Sequence, residues 1–201
     1  MFRHRIAAVV VGVVVGSVGI VGPAHATGTP GPHHTLTHDE YLSLWSGETI
    51  TWVQFWNTNS HMVLAVQASS DANGAAIIQW DANYQSNGLP AQEQAWALRN
   101  PQPGPQADAL LNAGTNPMKA VGISASSTTN GAHAIQWTYQ DQNPDQRWEL
   151  RWSDSTTFTI RNLNSGKCLG ISAGSKTHGA IAIQWECTFV PDQTWTATVY
   201  P

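Results

Sequence analysis

Ser70-Asp71-Ala72-Asn73-Gly74-Ala75-Ala76-Ile77-Ile78-Gln79-Trp80 returns twice further along the chain. It comes back as Ser127-Thr128-Thr129-Asn130-Gly131-Ala132-His133-Ala134-Ile135-Gln136-Trp137 and as Ser175-Lys176-Thr177-His178-Gly179-Ala180-Ile181-Ala182-Ile183-Gln184-Trp185. The three align without a gap, and self-similarity at a fixed period is the mark of a repeat architecture. Upstream, Leu64-Ala65-Val66, Val121-Gly122-Ile123 and Leu169-Gly170-Ile171 sit at matching places, each after a matching asparagine (Asn59, Asn116, Asn164). Downstream, Gln-x-Trp occurs as Gln94-Ala95-Trp96, Gln146-Arg147-Trp148 and Gln193-Thr194-Trp195, each behind an acid: Glu93, Asp145, Asp192. The spacing from Gln-Trp to Gln-x-Trp is longest in the first copy, as a surface loop tolerates.

Each copy reads as four short strands. The first alternates, with Val53 and Phe55 or Phe158 and Ile160 on one face. An Asn-Ser or Asn-Pro turn leads to the second, at 61–66, 119–123 and 167–171, and a Gly-Ala turn leads to the third, ending in Gln-Trp. The fourth carries Gln-x-Trp. Propeller blades are of similar length, but a propeller needs about four or more and this chain has room for three. Three units that cannot bury their faces alone must share one centre, and closing around it removes the sheet edges. Twelve strands in a closed threefold barrel with a hairpin cap are therefore predicted.

Outside the repeats, Arg3 and Arg5 precede an uncharged run from Ile6 to Val21 and then Ala24-His25-Ala26. This reads as a secretory signal peptide, 1–26, cut after Ala26. A membrane anchor is the alternative, but the run is short for a span of about 20 residues and no basic stop-transfer cluster follows. Cleavage removes 26 of 201 residues, leaves 175, and moves the formal charge from −4 to −6. The remaining basic residues form no stripe of the kind that holds phosphates, so nucleic acid is not an expected partner. All ten tryptophans fall in the mature part. An exported protein with only Cys168 and Cys187 is expected to bridge them, closing a 20-residue loop and adding ~3 kcal/mol; two free buried thiols are the alternative. Residues 27–48 read as an N-terminal linker, Thr27–Pro32 flexible and His38–Trp45 one or two helical turns packed on the barrel.

Threefold Gln-x-Trp, with Lys167-Cys168-Leu169-Gly170-Ile171, Ala182-Ile183-Gln184-Trp185-Glu186-Cys187 and Asp192-Gln193-Thr194-Trp195 in the last copy, resembles the ricin B-type lectin family. The resemblance covers residues 49–201, with repeats near 49–100, 106–152 and 154–201. It implies an all-β β-trefoil fold that binds sugar, with Trp96, Trp148 and Trp195 in the core and their glutamines bracing a turn. It also implies that Trp80, Trp137 and Trp185 are plates for a sugar ring, joined by the polar residue before each Gln-x-Trp: Glu93, Asp145 and Asp192. The sequence departs from the family at two places. The sugar-holding aspartate expected on the second strand is replaced by Ala65, Gly122 and Gly170, and a glutamine two residues before the aromatic by Ile78, Ile135 and Ile183. A site that loses its buried polar partners loses most of its discrimination.

Gly170-Ile171-Ser172-Ala173-Gly174 matches the G-x-S-x-G of hydrolases, but that motif needs a strand-to-helix turn and here lies between two predicted strands. His33, His34 and His38 with Asp39 could catch a metal, yet they fall in the linker and read as an exposed tail. No catalytic residue, metal site or cofactor is expected. The reading is a secreted, monomeric, non-enzymatic lectin without stable membrane insertion. It would hold glycans or polysaccharide weakly and multivalently by tryptophan stacking, helped by Asn73, Asn130, His178 or the loop carboxylates. The rival is a protein-binding or inhibitory trefoil that has lost sugar binding.

Overall fold

The structure, a computed structural model, describes residues 28–43, 50–99 and 108–200. The signal peptide read at 1–26 lies outside these residues, as do positions 27 and 44–48 of the extension. Among the described residues, no helix is long and apolar enough to cross a membrane.

Three lobes of four strands repeat around one axis. Lobe 1 comprises β2 (Ile50–Asn57), β3 (Val63–Val66), β4 (Ile77–Trp80) and β5 (Trp96–Arg99). Lobe 2 comprises β6 (Ala109–Asn112), β7 (Lys119–Ile123), β8 (Ala134–Thr138) and β9 (Trp148–Trp152). Lobe 3 comprises β10 (Phe158–Asn162), β11 (Cys168–Ile171), β12 (Ala182–Trp185) and β13 (Thr194–Val199). The outer strands of each lobe close a six-stranded barrel, with β2 on β5, β5 on β6, β9 on β10, β10 on β13 and β13 back on β2. The remaining seam, β6 to β9, is a single bridge in which Asp108 and Trp148 exchange backbone hydrogen bonds. The hairpins β3–β4, β7–β8 and β11–β12 form the cap. The fold is the β-trefoil.

Alternating apolar residues explain why the barrel fills. Val53, Phe55, Leu98, Leu110, Leu150, Phe158, Ile160 and Ala197 are buried in one cluster with Trp96, Trp148 and Trp195. Each of those indoles is wholly enclosed and donates from Nε1 to a second-strand carbonyl: Leu64 at 3.1 Å, Val121 at 2.9 Å and Leu169 at 3.1 Å. One side chain thus fills the core and ties a cap hairpin to the barrel, which a phenyl ring could not do. The preceding glutamines staple the loop between third and fourth strand. Gln94 donates to the Asp81 carbonyl and accepts from Asn83 N–H, Gln146 spans Thr138 and Gln140, and Gln193 spans Glu186 and Thr188.

The glutamine of each Gln-Trp holds the lobes together. Gln136 Nε2 donates into the lobe 1 turn, to the carbonyls of Ser70 and Ala72 (2.6 and 3.0 Å). Gln184 does the same with Ser127 and Thr129, and Gln79 with Ser175 and Thr177. Backbone bonds reinforce each clasp, with Gly74, Gly131 and Gly179 N–H donating to the Gln136, Gln184 and Gln79 carbonyls. The three clasps run head to tail around the cap. Ser60 and Ser165 hydroxyls satisfy the Oε1 of Gln79 and Gln184, whereas lobe 2 has Pro117 at that place and Gln136 Oε1 has no partner.

The helical turn predicted within His38–Trp45 is present and packs on the barrel, while the segment before it is docked rather than a free linker. Residues 28–43 are a strap bound to the barrel. β1 (His34–Thr35) pairs with Val199 and Thr198 of β13, and Leu36 and Tyr41 are buried in the main core. Thr37 Oγ1 accepts the Glu40 amide at 3.2 Å and opens α1 (His38–Ser43), whose first turn carries Asp39 and Glu40. A side-chain cap with acids against the helix N-terminus is why so short a helix forms. Tyr41 donates to Asp108 Oδ2 at 2.6 Å. The histidines of the expected tail are engaged as well: His34 contacts Glu40 at 2.7 Å, His38 stacks on Trp152 and His33 lies against Tyr200. Apolar content at Leu36 and Tyr41 outweighs the Gly-Pro-Thr composition that suggested a free segment. Among the described residues, no group of three or more His, Cys, Asp or Glu side chains could hold a metal.

Candidate functional site

In lobes 2 and 3 the second strand, the turn after it, the third-strand tryptophan and the acid before Gln-x-Trp surround a cleft. The lobe 2 cleft, about 410 Å³, is lined by Gly122, the Ser124–Ser126 turn, Ile135, Trp137, Asn143 and Asp145. The lobe 3 cleft, about 500 Å³, has Gly170, the Ser172–Gly174 turn, Ile183, Trp185, Val190 and Asp192 in corresponding roles. Trp137, next to last in β8, and Trp185, last in β12, are 44% and 45% exposed although the glutamine before each is wholly buried. A large indole left half in water beside a cleft is what ring stacking requires.

The cleft floor explains the glycines found where the family's aspartate was expected. A Cβ on Gly122 would lie 3.1 Å from Gln146 Cγ and 3.2 Å from Asp145 Oδ2. At Gly170 it would lie 2.9 Å from Gln193 Cγ and 3.4 Å from Asp192 Oδ2. The acid before Gln-x-Trp leans over the bare second strand, and it and the following glutamine crowd the space that a strand side chain would fill. Asp145 is 5% exposed; its Oδ2 accepts the Ile123 amide at 3.4 Å, and its Oδ1 has no hydrogen-bond partner. Burial pushes the Asp145 carboxyl above its ordinary pKa, partly offset by hydrogen bonds from the Ile123 amide and the Ser126 hydroxyl. Burial also raises Asp192, and it raises Glu93 in lobe 1, whose Oε1 is likewise unpartnered. An orphaned buried carboxylate oxygen costs stability unless a donor reaches it.

The rim is strained in the same way three times. Ala68, Ala125 and Ala173 follow the second strand with φ of 55°, 55° and 54°, a left-handed backbone that side chains disfavour. Neighbouring lobes lash two of these turns: Asn164 Nδ2 donates to the Ser126 carbonyl and Asn59 Nδ2 to that of Gly174. Asn116, the third matching asparagine, is exposed beside Pro117. Ser172, the serine of G-x-S-x-G, belongs to this turn between β11 and β12, with no helix following.

The turn residues join sites across lobes. Asn73, from lobe 1, stands beside Trp137: its Oδ1 accepts the Thr138 amide at 2.9 Å and its Nδ2 reaches Thr138 Oγ1 at 3.0 Å. Asn130, from lobe 2, accepts the Glu186 amide at 3.1 Å beside Trp185. Gly74 and Gly131, at φ of 85° and 82°, follow these asparagines and let the turns pass close to the indoles. His178, from lobe 3, lies over Trp80 of lobe 1 with ring centroids 5.1 Å apart and its Nε2 2.8 Å from Asp81 Oδ2. Trp80 is only half-exposed. Cys168 and Cys187 are bridged, holding β11 to the segment after Trp185.

Sequence reasoning assigned no clasp role to Gln79, Gln136 and Gln184. It also missed Asn57, Asn112 and Asn162, whose amides donate to the carbonyls of Asp192, Gln92 and Asp145 and so position the acid-bearing turns. The signal was present as an identical residue in all three copies, but a repeat shows that a residue matters without showing what it bonds.

The ricin-type β-trefoil lectin domain-like family model matches residues 44–137 and 144–200. A comparison with curated protein sequences finds no match. Among solved structures, the designed threefold protein ThreeFoil is 26% identical with a TM-score of 0.64, over 74% of this chain and 98% of that one. An exo-β-1,3-galactanase from Clostridium thermocellum is 24% identical with a TM-score of 0.65, over 75% of this chain but only 30% of the enzyme. The Macrolepiota procera ricin B-like lectin, solved with lactose, is 21% identical with a TM-score of 0.56, over 76% and 95% of the two chains. With a family model spanning most of the three repeats and the fold agreeing, the chain belongs to the ricin-type β-trefoil lectin domain-like family.

Proposed function

We propose that this is a secreted carbohydrate-binding protein that holds glycans weakly and multivalently at shallow clefts between its lobes. The observation that carries this is the pairing, in lobes 2 and 3, of an exposed indole with an acid lining the same cleft: Trp137 with the buried Asp145, and Trp185 with the half-buried Asp192. The indole offers an apolar plate, and the carboxylate in the lining of each cleft, Asp145 or Asp192, offers an acceptor for a sugar hydroxyl. Relatives of the same fold were solved with lactose and with GalNAc, which supports sugar as the ligand class. Linked weak sites give avidity on a polysaccharide beyond either alone. Export rests on the sequence at 1–26, and finding the protein cut after Ala26 in the medium of expressing cells would test it.

A glycan array and polysaccharide pull-down comparing wild type with a W80A/W137A/W185A triple variant tests the function. Signal from wild type and none from the folded variant supports it. A folded wild type that retains no glycan would point to the protein-binding or inhibitory trefoil. Phe189, 61% exposed between the cleft-lining Thr188 and Val190, would then be the first contact to examine.

A further inference from the structure

We propose that His178 closes the lobe 1 site, so that the protein carries two working sugar sites and one latent one; this rests on the carbohydrate reading above. The three turn residues Asn73, Asn130 and His178 occupy one position of the repeat and reach the residue after a tryptophan in the neighbouring lobe. The asparagines are short and grip the backbone, accepting the amides of Thr138 and Glu186, and they leave the indole faces open. His178 instead reaches the Asp81 carboxylate with Nε2, and its ring lies across Trp80 at an interplanar angle of 58°. The stacking surface that Trp137 and Trp185 offer to solvent is therefore partly covered at Trp80, which is only intermediate in exposure, by a side chain of the protein itself.

Three other differences are confined to the same lobe. Ala65 stands where Gly122 and Gly170 leave the floor bare, and the acid is the longer Glu93. The loop following Trp80, whose counterparts Asn143 and Val190 line the other clefts, closes on itself through the Tyr84–Pro90 bridge. It is also pinned to the strap by Gly28 N–H to the Tyr84 carbonyl and Gly31 N–H to the Gly88 carbonyl. A ligand entering lobe 1 must first lift the imidazole off the indole and break its contact with Asp81. The cost of that step subtracts from the affinity of the lobe 1 site alone.

The test is a titration followed by the indole N–H resonances of Trp80, Trp137 and Trp185, assigned with single Trp→Phe variants. Wild type and H178N are compared, with lactose, N-acetylgalactosamine and the highest-ranked array glycan as probes. Asparagine is the residue of the other two lobes, so H178N is expected to fold. In wild type the Trp137 and Trp185 resonances shift together while Trp80 is silent or saturates at about tenfold or more higher sugar. In H178N, Trp80 joins them. Trp80 titrating alongside the others in wild type overturns the proposal. So does Trp80 staying silent in H178N while the other two respond. Silence of all three indoles with every probe in both proteins overturns it together with the carbohydrate reading; the first two patterns would spare that reading.

Discussion

Asp145 illustrates how one residue can oppose stability and, on the proposed function, serve binding. Its carboxylate is buried with an oxygen that nothing satisfies, and burial raises its pKa. D145N keeps the shape and removes the charge. It is expected to raise the melting temperature at neutral pH while lowering glycan retention in a pull-down, the trade-off of a site held at some cost to the fold. A variant that gains stability and keeps full retention would make Asp145 a structural acid. Trp137 and Trp148 sit 11 residues apart in the same lobe and have opposite tasks. W148A deletes an enclosed indole and its 2.9 Å bond to Val121, and an unfolding titration should lose ~3–5 kcal/mol. W137A should change stability little and weaken glycan binding about tenfold, since ~60 Å² of lost apolar contact is worth ~1.5 kcal/mol. The distinction was only partly legible in the sequence. Both tryptophans are repeated three times, and assigning one to the core and the other to the surface came from the family resemblance.

The strap and the clasps govern stability at the next scale. Tyr41 holds α1 to the barrel through Asp108, a carboxyl that burial pushes up to about 6 against the pull of the Tyr41 hydroxyl and of Arg147. The usual aspartate value is about 3.9, so the folded protein takes up a proton more readily than the unfolded chain, and stability falls as pH rises through roughly 4 to 6. Glu93, Asp145 and Asp192 shift the same way. Asp154, held low by the amides of Thr156 and Thr157, opposes them from the surface. The melting temperature is therefore expected to be higher near pH 5 than at pH 7, and Y41F to be more damaging at pH 7 than below pH 5. A melting temperature that falls on acidification would contradict both. Replacing Gln184 by alanine strands the Ser127 and Thr129 carbonyls at the seam between lobes 2 and 3, for an expected loss of ~1–3 kcal/mol. The clasp glutamines were visible only as identical letters, because their partners lie 55 or more residues away in a neighbouring lobe. The helical part of the strap was legible, but the docking of its first part was not, because Leu36 decides it while the Gly, Pro and Thr around it dominate the composition.

For the molecule as a whole, threefold repetition makes a closed fold from units that could not stand alone, and the repeat was readable end to end because core, turn and clasp residues recur at fixed spacing. The site was less readable, because its groups come from different lobes and because its acids stand on turns rather than on the second strand. The sequence named Asp145 and Asp192 as site residues, but not that they would lie against the second strand beside Gly122 and Gly170, where the family's aspartate is missing. Reducing the Cys168–Cys187 bridge should lower the melting temperature without unfolding the protein, since the disulfide closes one hairpin of a barrel that six strands already close. The decisive measurement is a crystal structure of the protein soaked with its best array glycan. The account predicts a sugar ring against Trp137 and another against Trp185, each with a hydroxyl within hydrogen-bond distance of Asp145 or Asp192. A ring bound away from both indoles, or bound with neither carboxylate in reach, would contradict it.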